Sequence, residues 1–155
     1  MKLRRPRRPR RFRPADSAQQ VVGGFLLAGP FVVTEEVWVL AANMSNVQAL
    51  VTIGVVFAIG YAALYTADTE HDPAAEQRVG SVVPVRFVSL MCVSFGSVTI
   101  LALLFDAPDT FLDVDGLNAE TALITFKAVS VGSIFSVVGA ATADSVFSQR
   151  SVDGE

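Results

Sequence analysis

Apolar residues are gathered along the chain in four long segments that short polar stretches separate. Each segment has about 20 residues or more and is nearly free of charge. A helix of that length crosses the roughly 30 Å hydrocarbon core of a bilayer. The pattern therefore predicts an all-α polytopic membrane protein with four transmembrane helices, over residues 18–42, 47–66, 83–105 and 121–147.

The composition agrees with a membrane protein and excludes other classes. Only 17% of the residues are charged, against about 25% in a typical soluble domain, and 52% are hydrophobic. This deficit of charge argues against a soluble globule and against a disordered chain. Cys92 is the single cysteine, so a secreted module held by internal disulfides is excluded as well.

The distribution of charge divides the chain into a basic arm over residues 1–17, a helical bundle over residues 18–148 and a polar tail over residues 149–155. Eight of the twelve Lys and Arg residues precede residue 14, in a stretch without acids. Pro6, Pro9 and Pro14 favour a disordered, extended arm over a recognition helix. Because the arm directly precedes an apolar segment, we expect it to contact anionic lipid headgroups rather than nucleic acid.

Lysine and arginine also predict the orientation in the membrane. With the N-terminus inside, the inner segments carry the basic arm, Arg78, Arg86 and Arg150, and the two outer connections carry no basic residue. By the positive-inside tendency, both termini are cytoplasmic and the acidic connection over residues 106–120 lies outside. The sequence thus predicts a multi-pass protein of the cell membrane whose main partner is the lipid bilayer.

Motifs of enzyme chemistry are absent from the sequence. It contains no HExxH, no GxSxG, no P-loop and no paired cysteines. The one histidine, His71, belongs to a polar connection and is interpreted as a solvated loop residue. We therefore expect no enzymatic activity, no catalytic residue, no metal site and no cofactor.

Charged residues inside the apolar segments are the main candidates for function. A charge at the bilayer centre costs roughly 2.5–3.5 kcal/mol on insertion scales, so it needs a partner, water or a functional role. On straight helices, Glu36 and Lys127 lie at nearly the same depth, about 10 Å from the outer surface, and are predicted to pair. A structural clip between helices, an ion or proton pathway, and charges exposed to water near the interface remain alternative interpretations.

A second ion pair is predicted near the inner surface. Arg86 and Asp144 each lie a few residues from the inner end of an apolar segment. A structural clip is the favoured interpretation, because long side chains at the rim can reach the headgroup region.

The first apolar segment combines a helix breaker with polar groups. Pro30 lacks a backbone N–H, so a kink is expected, and Thr34 is placed to bond back to the Pro30 carbonyl. Glu36 shares a helical face with Asn43, an arrangement that suits the lining of a cavity. The competing interpretation is a kinked packing helix whose Trp38 anchors the outer interface.

The pattern Pro30-x-x-x-Thr34-x-Glu36-x-Trp38 resembles the first-helix signature of a family of predicted integral membrane proteins from archaea and bacteria, which is classed as a domain of unknown function. The layout of four apolar segments after the arm is similar as well. The resemblance implies a four-helix membrane fold and directs attention to Glu36, and it implies no activity.

Small residues recur at four-residue spacing in the fourth segment, a pattern that permits close helix packing and serves contacts within one chain more often than dimerisation. They are Ala128, Gly132, Ser136 and Ala140, with Gly139 and Ala143 beside them.

Two classes of function are compatible with these features. The first is a permeation protein for an ion, a proton or a small solute, acting as a homo-oligomer because four helices enclose little volume. Glu36 is then the central acid, Lys127 controls its charge, and Thr34 and Asn43 supply polar ligands. The second is a non-transporting structural or accessory membrane subunit whose charges only hold helices together.

Overall fold

A computed structural model of the protein describes residues 14–65, 78–79, 83–112, 116 and 118–150, and this part of the chain is almost entirely helical. Its elements are α1 (Pro14–Val32), α2 (Glu35–Asn43), α3 (Asn46–Tyr65), the short antiparallel strands β1 (Arg78–Val79) and β2 (Val83–Pro84), α4 (Val85–Leu104), α5 (Ala107–Leu112) and α6 (Ala119–Arg150). Among the described residues, α3, α4 and α6 are long and apolar enough to cross a membrane. The pair of α1 and α2 makes a fourth span if it is counted as one.

The first predicted segment is broken into two helices. α1 and α2 meet at 80° across Val33 and Thr34. Pro30 weakens the last turn of α1 because it cannot donate a helical hydrogen bond. Thr34, the N-cap of α2, has an extended backbone with φ −111° and ψ 136°. The predicted kink is therefore confirmed, but the prediction of one continuous helix over residues 18–42 is wrong.

The other three predicted segments are present, and local capping fixes where two of them begin. α3 starts with a capping box: the Gln48 N–H donates to Ser45 Oγ at 3.2 Å, and the Ser45 N–H donates to Gln48 Oε1 at 2.8 Å. α6 starts behind Asn118, whose Oδ1 accepts the Thr121 N–H at 2.8 Å. Each bond satisfies a backbone N–H that the first helical turn would otherwise leave without a partner.

The helices extend beyond both predicted ends of the bundle. α1 begins at Pro14, within the region assigned to the arm over residues 1–17, and α6 continues to Arg150, past residue 148. Residues 1–13 and 151–155 lie outside the described residues, as does His71. The predictions about the basic arm, the tail and that histidine stay predictions.

α6 is the central helix and packs against each of the other five. α1 runs antiparallel to it, and the two backbones are closest where Gly23 faces Gly139. A Cβ on either of these glycines would overlap with the carbonyl group of the other. Further along α6, a Cβ on Gly132 would meet Val98 and Val32. The small residues of the fourth segment therefore bring helices of the same chain together.

Two clusters of buried apolar side chains hold the bundle together. One surrounds Trp38 and Val98 and joins α1, α2, α4, α5 and α6. The other surrounds Val56, Leu90 and Val137 and joins α3 to α4 and α6. α3 is the peripheral helix, since 22% of its span is buried against 50% for α6. α4 is intermediate between these two, with 39% of its span buried.

Candidate functional site

A buried ion pair joins α4 to α6. Arg86 Nε donates to Asp144 Oδ2 at 2.6 Å, and Nη2 of the same guanidinium contacts that oxygen. The Asp144 side chain is fully buried and that of Arg86 is 10% exposed. The predicted pairing of these two residues is therefore present. An isolated charge in an apolar bundle costs several kcal/mol, so each residue offsets part of the cost of burying the other.

A chain of hydrogen bonds lies one helical turn further along α4. Ser89 Oγ donates to Gln20 Oε1 at 2.8 Å, and Ser17 Oγ lies 3.0 Å from Ser89 Oγ. Because the Ser89 hydrogen points to Gln20, Ser17 is the donor in the second bond. Gln20 is fully buried. Three helices thus contribute polar side chains to one region, the Arg86 cluster, which consists of Ser17, Gln20, Arg86, Ser89 and Asp144.

Two further hydroxyls face α1 beyond the Arg86 cluster. At Gly24, one turn after Gln20, a Cβ would lie 2.9 Å from Ser136 Oγ and 3.2 Å from Ser97 Oγ. Ser97 and Ser136 are both buried. The lack of a side chain at Gly24 therefore lets hydroxyls of α4 and α6 approach the α1 backbone. The polar lining continues from the Arg86 cluster toward the middle of the bundle.

Lys127, which was predicted to pair with Glu36, binds a backbone carbonyl instead. Its Nζ donates to the Met44 carbonyl oxygen at 2.6 Å, and the residue is 7% exposed. Met44 directly follows α2, at the helix end where carbonyls without helical partners create a negative partial charge. The Lys127 ammonium thus holds the link between α2 and α3 against α6.

Glu36 is exposed, together with Glu35, in the first turn of α2. The positive end of the helix dipole favours acids at this position. No ion pair joins Glu36 to Lys127, although the structure describes both residues. The predicted pair is wrong because the depth argument assumed a straight first helix, whereas the chain turns by 80° immediately before Glu36.

Thr34 and Asn43, the predicted polar ligands, also bond to the backbone. Thr34 Oγ1 donates to the Phe31 carbonyl at 2.8 Å, whereas the sequence predicted a bond to the Pro30 carbonyl. Asn43 Nδ2 donates to the Val39 carbonyl at 2.8 Å. Among the described residues, no hydrogen bond or ion pair joins any two of the four predicted site residues.

Trp38 is buried rather than interfacial. It is 1% exposed, and its Nε1 donates to the carbonyl of Val32, the last residue of α1, at 2.9 Å. Its ring stacks on Phe111 of α5, with centroids 6.1 Å apart. The signature from Pro30 to Trp38 therefore encodes a turn between two helices, in which polar groups bond to carbonyls that the end of α1 leaves free.

The sequence reasoning missed the polar residues that join α1 to α4, namely Ser17, Gln20 and Ser89. Gln20 lies at the start of an apolar segment, where a glutamine normally reaches the headgroup region. A signal was present nonetheless, since Gln20 lies one turn before Gly24 and hence on the helical face that packs most closely.

The chemistry available to the Arg86 cluster is that of one guanidinium, one carboxylate, one amide and hydroxyls. Such groups can pass protons, bind a small polar solute or hold helices together. Within the described part of the chain, no group of three or more His, Cys, Asp or Glu side chains could hold a metal ion.

Comparison with known proteins adds one match. A family model described as "Putative integral membrane protein (DUF2391)" matches residues 9–143. No curated protein and no solved structure matches the chain. The matched region contains the turn from Pro30 to Trp38 and four residues of the Arg86 cluster, and Asp144 lies one residue beyond it.

Proposed function

We propose that this chain, which belongs to the DUF2391 family of integral membrane proteins, is a small permeation protein for protons, other ions or small solutes. The observation that carries the proposal is the Arg86 cluster, in which three helices bury polar side chains within an apolar bundle. Ionisable residues inside membrane helices are rare and characteristically line ion, proton or substrate pathways.

In this proposal α1 crosses the membrane, so that four helices cross and both termini are cytoplasmic. α1 has 19 residues and a length of about 28 Å, close to the thickness of the hydrocarbon core. It lies alongside α6 from the Gly23–Gly139 contact to the contact of Val32 with Gly132. The basic arm, Arg78 and Arg86 are then on the cytoplasmic side, in agreement with the positive-inside tendency.

The proposed pathway passes through the Arg86 cluster rather than through Glu36. The exposed Glu36 carboxylate supplies negative charge at the outer entrance, while Lys127, Thr34 and Asn43 hold the helix break in position. Because four helices enclose little volume, we propose that the protein acts as a homo-oligomer in the cell membrane, with no catalytic residue and no cofactor.

The test is flux through purified protein in liposomes, with protons, potassium and small neutral solutes as separate probes. The matched variant is Arg86→Met combined with Asp144→Leu, which removes the ion pair without leaving one charge buried alone. The control is Thr142→Ala, because the Thr142 hydroxyl is on the exposed side of α6 and bonds only to the Val138 carbonyl.

We expect flux of one probe through the wild type and through Thr142→Ala, and loss of that flux in the double variant. Absence of flux for every probe in folded wild-type protein would overturn the permeation proposal. Unchanged flux in the double variant would show that the ion pair only holds the two helices together and is not part of the pathway.

The alternative is a non-transporting structural or accessory subunit. One observation favours it: Thr34, Asn43 and Lys127 each donate to a backbone carbonyl. Side chains committed to the backbone stabilise a particular fold and have less capacity to bind a permeating species.

A further inference from the structure

Two buried polar groups where α1 packs against α4 and α6 have no hydrogen-bond partner among the described residues. They are Nε2 of Gln20 and Oγ of Ser136, and both residues are fully buried. Rotating the Gln20 amide by 180° would not remove the problem. Ser89 would then face Nε2, and the amide oxygen would be left without a donor. One end of this amide therefore needs a partner in either orientation.

The two groups line the same interface. Gln20 and Gly24 lie one turn apart on one face of α1, about 6 Å along the axis, and Ser136 Oγ is the nearest atom to a Cβ built on Gly24. A water molecule about 2.8 Å from either group would supply the hydrogen-bond partner that the group lacks. The glycine backbone at Gly24 allows this approach.

The chemistry of the lining selects the occupant. Burying the amide nitrogen without a hydrogen bond is costly, so a partner is favoured. An amide N–H and a hydroxyl give no negative charge to replace the hydration shell of a metal cation. Asp144 lies about two turns beyond Ser136 on α6, and its Oδ2 is paired with Arg86. A neutral molecule that both donates and accepts hydrogen bonds fits this lining.

We propose that one or two water molecules occupy the interface between Gln20 and Ser136 and extend the hydrogen-bonded Arg86 cluster to the middle of the bundle. This inference rests on the proposed permeation function, and it specifies the proton as the permeating species. Each water or hydroxyl oxygen in this chain can accept one hydrogen and release another, so a proton moves along it while the number of hydrogens on each oxygen is unchanged. The Gln20 amide takes no part in the transfer, because its oxygen only accepts and its nitrogen only donates, and it holds the water in place through Nε2. A bare cation has no comparable route.

The water site is tested by a double-mutant cycle in the full-length protein. Gln20→Met removes the amide at similar volume, and Ser136→Ala removes the hydroxyl. The two groups share no direct hydrogen bond, so a coupling between them requires an intermediary. The matched control is Ser133→Ala, because Ser133 is equally buried on α6 and its hydroxyl bonds to the Val129 carbonyl at 2.7 Å.

We expect the effects of Gln20→Met and Ser136→Ala on the unfolding equilibrium constant to be non-additive by about tenfold, and those of Gln20→Met and Ser133→Ala to be additive. Additive effects in both cycles would overturn the water site.

The proton is tested separately, with potassium and proton flux measured on the same liposomes. We expect proton flux without potassium flux, reduced about tenfold by Gln20→Met and unchanged by Ser133→Ala. Potassium flux would overturn the assignment of the proton and leave the permeation function standing. Absence of all flux would overturn the permeation function, while the thermodynamic cycle would still decide whether water bridges Gln20 and Ser136.

Discussion

Gly23 and Gly139 touch backbone to backbone at the closest approach of α1 and α6. A methyl group on either glycine would overlap with the carbonyl group of the other. The contact fixes the position of α1 on the central helix and, through α1, the positions of Gln20 and Gly24 in the polar interface.

The first prediction concerns this contact. Gly23→Ala should destabilise the bundle by about 1–3 kcal/mol, because the added Cβ forces α1 away from α6. The control is Gly54→Ala in the exposed face of α3, where no atom of another element lies within 4 Å of the added methyl group. It should be neutral or slightly stabilising, since alanine is the better helix former. Thermal unfolding in detergent measures both, and equal stability of the two variants would contradict the described helix contact.

A second prediction concerns Arg86 and Asp144. Arg86→Met or Asp144→Leu alone should each cost about 3–5 kcal/mol, because each leaves one charge buried without its partner. The double variant should cost less than either single change. Unfolding of all four proteins completes the cycle, and additivity would show that the pair does not interact.

The third prediction separates Glu36 from Lys127. Lys127→Met should destabilise the protein because the Met44 carbonyl loses its donor, and Glu36→Gln should have little effect because the carboxylate is exposed. Their effects should add within about 0.5 kcal/mol. A coupling of more than about 1 kcal/mol in the same unfolding experiment would show that the two side chains interact, which contradicts the described contacts.

Trp38 and Thr34 provide the fourth prediction, since both donate to carbonyls at the end of α1. Trp38→Phe should cost about 1–3 kcal/mol, because the buried Val32 carbonyl loses its side-chain donor. Thr34→Val should cost less, since Phe31 O also accepts the Thr34 backbone N–H at 3.2 Å. Denaturant unfolding compares the two variants. A larger loss of stability in Thr34→Val than in Trp38→Phe would contradict this ranking of the two hydrogen bonds.

The fifth prediction concerns the number of crossings. A reporter inserted between Met44 and Ser45 should lie on the side of the membrane opposite to the N-terminus, because α1 crosses before that link. A reporter at Asp109 should lie on the same side as the Met44 link. If the Met44 reporter lies on the side of the N-terminus, α1 and α2 form a re-entrant loop and three helices cross.

Hydropathy predicted the helical class and the extents of α3, α4 and α6 closely, because the bilayer demands long apolar helices whatever their packing. It could not predict the break at Thr34, since the residues from Pro30 to Trp38 are as compatible with a kinked helix as with a turn. The choice depends on the indole of Trp38 finding the Val32 carbonyl, which is a tertiary contact.

The same limit explains which ion pair was predicted correctly. Arg86 and Asp144 lie in helices that are continuous in the structure, so counting residues from the helix ends correctly predicted that they meet. Glu36 follows a sharp turn, and counting residues through a turn gives no depth. Gln20 was missed because burial of a polar side chain depends on which neighbours surround it, here Ser89 on another helix.

The central position of α6 also imposes an order on assembly. α6 is the last of the described helices to leave the ribosome, and α1 through α5 all pack against it. Until it enters the membrane, Arg86 lacks its carboxylate and Gly23 lacks its partner backbone. The earlier helices can then form only their contacts with one another, such as those of α4 with α1 and α3. A chain that stops before α6 would therefore leave the Arg86 guanidinium without its partner carboxylate, which is costly in hydrocarbon.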